Sequence, residues 1–165
     1  MNFEFSEDQL FLRDQASRFL VDQCPPRLLR NIFETDKMYA DNLWQQITDL
    51  GWTAITIPEE YGGLGLGQLE LCIIAEQLGR VLAPIPFASS VYLATDLLNN
   101  FGTKVLKDRY LPQLATKGLI GTVAITEHAG QLIPAANSLL DSYVDNGKIY
   151  GCKVPVADGA IADIA

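Results

Sequence analysis

Four glycines, Gly62, Gly63, Gly65 and Gly67, crowd behind two carboxylates, Glu59 and Glu60. Glycine-rich turns of this sort can cradle a phosphate, because backbone without side chains closes on an anion through its N–H groups. A dinucleotide loop needs glycines at i, i+2 and i+5. Counted from Gly63 the last position is Gln68, and from Gly65 it is Glu70. A P-loop needs Lys after its last glycine. Gly62 and Gly67 have that spacing, but Gln68 stands where the Lys is required. Glu59 and Glu60 would also repel a phosphate. The stretch therefore reads as a rigid connector. Pro58 ends any helix before it and holds Ile57 extended.

Few other side chains promise chemistry. His128 is the single histidine, so a histidine-rich metal site is excluded and a histidine-based triad has no obvious partner. Cys24, Cys72 and Cys152 are odd in number and contain no C-x-x-C, which indicates neither a disulfide framework nor zinc. No metal site is expected, and a reducing cytoplasm is the default compartment. Glu76 lies four residues before Arg80 on an apolar segment. It reads as one half of a surface ion pair or as a buried acid.

The elements that must hold these residues are helical first. Ser6 with Gln9 forms a capping box, and Phe5 with Leu10 fits a hydrophobic staple. The spacing of Phe11, Leu12, Ala16, Phe19 and Leu20 predicts an inward face on a helix over 7–23. Pro25-Pro26 break it, and a short helix follows over 27–34. Asp41 can cap a third helix with Trp44, Ile47 and Leu50 inward and Gly51 at its stop. A helix over 68–82 carries Leu69, Cys72, Ile73, Ala75, Leu78 and Leu82, with Leu71, Ile74 and Val81 widening the stripe toward burial on most sides. Ala83 to Pro86 is a stiff link. A helix over 87–101 is again apolar on more than one face. Thr103 caps a sixth, which carries Leu111 and Leu114 and stops at Gly118.

Beyond Gly118 the period changes. Leu119 to Ile125 is a short β-type run. Leu139 to Val144 and Lys148 to Val156, joined by Asp145-Asn146-Gly147, read as a hairpin. Helices first and strands after give an α+β chain: an all-α bundle of about six helices over 1–117, then an incomplete antiparallel β domain over 118–165. A hairpin and a strand or two cannot close a sheet core, so the sequence is expected to stop inside its second domain.

The 165 residues suffice for one full domain and a piece of another, and 48% hydrophobic residues can bury a core. A net charge of −8 argues against nucleic acid and anionic membranes as partners. The start of the chain has no basic region of a signal peptide. No apolar run approaches the roughly 20 residues of a membrane span.

The order of elements resembles the acyl-CoA dehydrogenase family. The resemblance rests on Ile57-Pro58-Glu59-Glu60-Tyr61-Gly62-Gly63-Leu64-Gly65, then Glu76-Gln77-Leu78-Gly79-Arg80, then Tyr110-Leu111-Pro112-Gln113-Leu114, then Gly121-Thr122-Val123-Ala124-Ile125-Thr126-Glu127, and last Gly151-Cys152-Lys153 with Asp158-Gly159. It covers essentially the whole chain. It implies an amino-terminal helical domain and the start of a middle β domain, with a carboxy-terminal helical domain absent.

The resemblance also implies an activity: FAD-dependent α,β-dehydrogenation of an acyl-CoA thioester, with electron-transfer flavoprotein or a similar acceptor as partner and a homo- or hetero-oligomeric assembly. The catalytic glutamate of the family usually lies in the absent third domain, so no catalytic residue is assigned in this chain. Flavin contacts carry over onto Ala124, Ile125 and Thr126, where a strand end capped by a hydroxyl turn is the alternative. Gly130 carries over as a close approach to pyrophosphate. After Glu127 the family continues with Pro and a turn ending Ala-Gly-Ser-Asp, whereas this chain reads His128-Ala129-Gly130-Gln131-Leu132. His128 is then either a solvated loop residue or a contact to flavin or substrate phosphate. Pro155, Val156 and Ala157 replace the usual aromatic and hydroxyl residues, as in a divergent branch. The helices over 68–82 and 87–101 match those that border the acyl pocket. A non-catalytic truncated product, or a helical partner subunit of a heteromeric dehydrogenase, is the alternative reading. Oxidation of nitroalkanes or flavin-dependent monooxygenation gives no distinct signal.

Overall fold

A computed structural model describes residues 4–127 and 141–165. Among these, six α-helices precede a two-stranded antiparallel hairpin: α1 (Glu7–Gln23), α2 (Pro26–Glu34), α3 (Asp41–Asp49), α4 (Gln68–Arg80), α5 (Asp96–Phe101), α6 (Lys104–Thr116), β1 (Tyr143–Asp145) and β2 (Lys148–Tyr150). The helical ends follow local chemistry. The Ser6 side chain accepts from the Gln9 amide at 3.2 Å while Gln9 Oε1 accepts from the Ser6 amide at 3.0 Å, completing the capping box. The Thr103 hydroxyl oxygen caps α6 by accepting from the Leu106 amide. Gly51 and Gly118 leave α3 and α6 with left-handed backbone, at φ +78° and +64°.

The main core joins α1, α3, α4 and the segment Trp52–Ile55 through Leu20, Trp44, Ile47, Ile55, Ile74 and Leu78. Phe19 meets Trp52 edge to face, with ring centroids 5.4 Å apart. A second cluster of Ala54, Ile57, Leu111, Leu114 and Ala115 seats α6 beneath the glycine loop.

That loop is the rigid connector expected. Glu59–Tyr61 form one 3₁₀ turn. The amides of Leu64, Gly65 and Leu66 then donate back to the carbonyls of Ala54, Ile57 and Ile55 at 2.8–2.9 Å. Gly63 is pressed on Ile57 so closely that a Cβ would overlap the Ile57 carbonyl. Glu59 and Glu60 are exposed.

Several inward assignments shift. Phe11 is 67% exposed, and Leu50 also faces outward. On α4 the buried residues are Leu71, Ile73, Ile74, Gln77 and Leu78, while Leu69, Cys72 and Leu82 are exposed. The two stripes of α4 overlap, and the one that meets α1 wins because α1 supplies an apolar face with Ala16 and Leu20 fully buried. Glu76 is exposed, which removes the buried-acid reading. The segment expected as one helix over 87–101 is π-helical over Ala88–Thr95 before it becomes α5. Its buried set is Ser89, Ser90, Val91, Ala94 and Thr95.

The β part is shorter than the pattern suggests. Residues 119–126 form no ladder beyond one parallel bridge, Gly121 to Ile164. The hairpin pairs Tyr143 with Tyr150, Val144 with Ile149 and Asp145 with Lys148. Asn146 and Gly147 turn it with φ of +47° and +74°, as a two-residue primed turn requires.

Gly63→Ala should lower the stability of the chain by roughly 1–3 kcal/mol, the usual cost of forcing atoms into a closed contact. Gly79, on the open side of α4 with nothing near its Cβ position, should instead gain about 0.5–1 kcal/mol as Gly79→Ala. Urea midpoints at unchanged slope measure both.

Candidate functional site

The strand end expected to meet a flavin leaves the bundle at Gly118. The Trp44 indole N–H donates to the Gly118 carbonyl at 2.7 Å, fixing the exit. Gly121 then packs against the π-helix, where a Cβ would stand only 2.6 Å from that of Ala94. The Gly121 amide donates to Ser90 Oγ at 3.1 Å, and the Ser90 hydroxyl donates back to the Gly121 carbonyl at 3.3 Å. On the other side the Asp163 carboxylate accepts from the Ile120 amide at 2.9 Å, and the Thr122 amide donates to the Ile164 carbonyl at 3.0 Å. Ser89 extends the tie by donating to Asp158 Oδ2 at 2.6 Å. Ser89 and Ser90 thus act as braces.

Past this anchorage the stretch is less buried. Val123, Ala124 and Thr126 are half-buried, and Ile125 is 52% exposed. The Thr126 carbonyl accepts from the Val154 amide at 2.7 Å. Val123 and Thr122 open on a cavity of about 440 Å³ whose other walls include Leu97, Leu98, Leu106, Tyr110, Ile164 and Ala165. Ala124, Ile125 and Thr126 follow directly on that wall without lining the cavity themselves. Gly130 and His128 lie outside the described residues.

A second cleft of about 390 Å³ runs between α4 and the π-helix, lined by Leu71, Cys72, Ala75, Val91, Tyr92 and Asp96. Burial, with the Cys72 thiol nearby, pushes the Tyr92 hydroxyl up to about 12, so it stays protonated. Among the described residues no group of three or more His, Cys, Asp and Glu is placed to hold a metal. No helix there is long and apolar enough to cross a membrane.

Glu127 is the residue the sequence reading passed over, taking it only as the end of a strand. It is 8% exposed. Its Oε1 accepts from Lys153 Nζ at 2.8 Å and from the Ser142 amide at 2.8 Å. Its Oε2 accepts from the Asp141 amide at 2.8 Å. Lys153, foremost, and then the two amides hold the carboxyl down at about 2. The only signal in the sequence was Thr-Glu followed by Gly-x-Lys, two fragments separated by 26 residues.

Comparison with known proteins agrees with this architecture. The family model "Acyl-CoA dehydrogenase, N-terminal domain" matches residues 6–118. The mitochondrial isovaleryl-CoA dehydrogenase of Arabidopsis thaliana is 32% identical over 156 residues, which cover 90% of this chain and 38% of that protein. An acyl-CoA dehydrogenase from Bacillus anthracis, solved in complex with FAD, superposes with a TM-score of 0.66 at 29% identity over 75% of this chain and 21% of the other. A chain of the ChsE4–ChsE5 complex from Mycobacterium tuberculosis superposes with a TM-score of 0.71 at 28% identity, over 79% of this chain and 36% of that one. The chain belongs to the acyl-CoA dehydrogenase family. It spans well under half the length of the curated relatives it matches.

Because the Glu127 carboxyl is held below its unfolded value, its contribution is fully present above about pH 4.5 and is lost as pH falls toward about 2. Glu127→Gln should therefore flatten the acid limb of stability between those values and leave its slope near neutrality unchanged. Urea midpoints taken between pH 2.5 and 7 measure this.

Proposed function

We propose that this chain is the amino-terminal part of an FAD-dependent acyl-CoA dehydrogenase, with a helical domain over 1–117 and the start of a β domain over 118–165. The observation that carries the reading is the match of residues 6–118 to the family, with Ala124–Thr126 continuing the stretch whose Thr122 and Val123 line an apolar hollow. A flat ring system with one polar edge fits such a place. Ile125 offers an exposed apolar surface to the ring. The Thr126 hydroxyl and the neighbouring amides are the donors for its polar edge, and Gly130 is the approach for pyrophosphate. FAD, when bound, supplies a two-electron acceptor for the Cα–Cβ bond of the thioester.

The residues of this chain bind and orient. Donors along Ala124–Thr126 stabilise negative charge at the flavin edge. The π-helix and α4 border the acyl group. No carboxylate of the chain is assigned as the base that removes the α-proton. Glu59, Glu60 and Glu76 are exposed. Glu127 is committed to Lys153, and a carboxyl held at about 2 is too weak a base for that task. By likeness to the family, the base lies in a segment outside these residues. The electron acceptor is electron-transfer flavoprotein or a similar protein, and the assembly is a homo- or hetero-oligomer. Free Cys24, Cys72 and Cys152 fit a reducing compartment such as the cytoplasm.

A second reading makes the chain a non-catalytic helical partner in a heteromeric dehydrogenase. Its support is the likeness to a chain of a two-component complex and the departure from the family turn at His128-Ala129-Gly130-Gln131-Leu132.

Sequencing downstream of Ala165 separates the two: an open frame encoding further strands, a helical domain and a glutamate supports the enzyme, and a stop codon supports the partner subunit. The protein encoded by an open frame should purify yellow and bleach anaerobically with an acyl-CoA. A colourless protein that added FAD does not restore would overturn the flavoenzyme reading. The 165-residue chain alone should bind FAD weakly or not at all by equilibrium dialysis, and stoichiometric binding would contradict the assignment of half a site to it.

A further inference from the structure

We propose that Glu127 is the positioning residue of the flavin site, fixing the strand end at Ala124–Thr126 through its bonds to Asp141, Ser142 and Lys153. The proposal rests on the flavin reading above and adds a residue to it.

The geometry has three parts. First, the Glu127 carboxylate is buried and both its oxygens are engaged, with three donors at 2.8 Å. Second, the pairing is doubled in the backbone. Thr126 accepts from the Val154 amide at 2.7 Å while the next residue, Glu127, accepts from the side chain of Lys153, the residue before Val154. Two adjacent residues on each strand are therefore tied, one pair by main chain and one by side chains. A single hydrogen bond would leave Thr126 free to swivel about it, and two bonds at neighbouring residues do not. Third, Asp141 and Ser142 are reached through the same carboxylate, so the chain on either side of residues 128–140 is gathered at one point.

The charges close on themselves. Lys153 is partly buried, and it faces Glu127. Asp141 bonds the carboxylate through its backbone amide. Lys153 thus balances the charge of Glu127 one residue from Thr126, where a lone carboxylate would oppose the negative charge that develops on a reducing flavin. Exposed ion pairs contribute little because water screens them, whereas this carboxylate is buried and accepts three hydrogen bonds. What it supplies toward the flavin is fixed geometry, which is worth most where donors must be preset.

Amide exchange on the chain, with Glu127→Gln and Lys153→Met, tests the anchor without any flavin. The expected result is at least a tenfold loss of protection at Asp141, Ser142 and Val154 in Glu127→Gln, with Ile74 and Leu78 of α4 unchanged. Unchanged protection at all three sites overturns the proposal. If Glu127→Gln loses α4 protection as well, Lys153→Met is read by the same criterion at Val154 and Ser142. The second arm uses the full-length protein. FAD should dissociate at least tenfold more readily from Glu127→Gln, with a shifted visible band in the flavin that stays bound. The core variant Ile74→Val, destabilised elsewhere, should show neither change. Wild-type affinity and spectrum in Glu127→Gln, with the amide protection lost, reduce Glu127 to a brace and overturn the proposal. Absence of FAD from the wild-type protein overturns the flavin reading and this role with it, while the exchange arm still reports whether the anchor exists.

Discussion

The place where Gly121 meets the π-helix decides where every later residue lies. A segment with two short strands and one isolated bridge has no sheet of its own to fold against. It uses the helical bundle as its second layer. The approach is close because Gly121 has no side chain to hold it off Ala94. It is specific because the Ser90 hydroxyl satisfies both the N–H and the C=O of the same glycine. Asp163 and Ile164 then close over the far side of Ile120 and Thr122. A backbone buried this way must find partners for its polar groups. Here the bundle supplies some, and Asp163 and Ile164 supply the rest.

Four glutamates in the chain could be mistaken for one another in the sequence, and the structure separates them by solvation. Glu59, Glu60 and Glu76 stand in water, where a carboxylate needs no protein partner. Glu127 has left the water and is compensated by one ammonium and two amides. A desolvated anion is tolerable only with such a shell. The same shell that makes Glu127 a poor base makes it a firm fixed point. Binding geometry, more than proton transfer, is what this part of the chain is built to provide.

What could be read from the sequence was local. The capping box at Ser6 and Gln9, the breaks at Pro25 and Pro58, and the left-handed exits at Gly51 and Gly118 depend on residues within a turn of one another, and all are present. The faces of helices were less legible. Phe11, Leu50 and Cys72 fit an apolar stripe, and the choice between overlapping stripes is made by the partner helix, which the pattern does not contain. The ion pair of Glu127 with Lys153 spans 26 residues and has no periodic trace. The contacts proposed for Ala124, Ile125 and Thr126 came from likeness to a family. The structure adds that the last of them, Thr126, is tied to Val154, while Gly130 falls among the residues left undescribed.

The π-helical stretch acts as a phase shifter. With i→i+5 bonding each residue advances by a smaller angle about the axis than in an α-helix. Ser89, Ser90, Ala94 and Thr95 can therefore all be buried, while Leu93, Leu97 and Phe101 emerge on the outside. Loss of one residue from this stretch would return it to α pitch and rotate everything up to Phe101 relative to the strand it supports. Related chains that differ here by a single insertion or deletion would present a different set of side chains to the same hollow, with α4 and α6 unchanged.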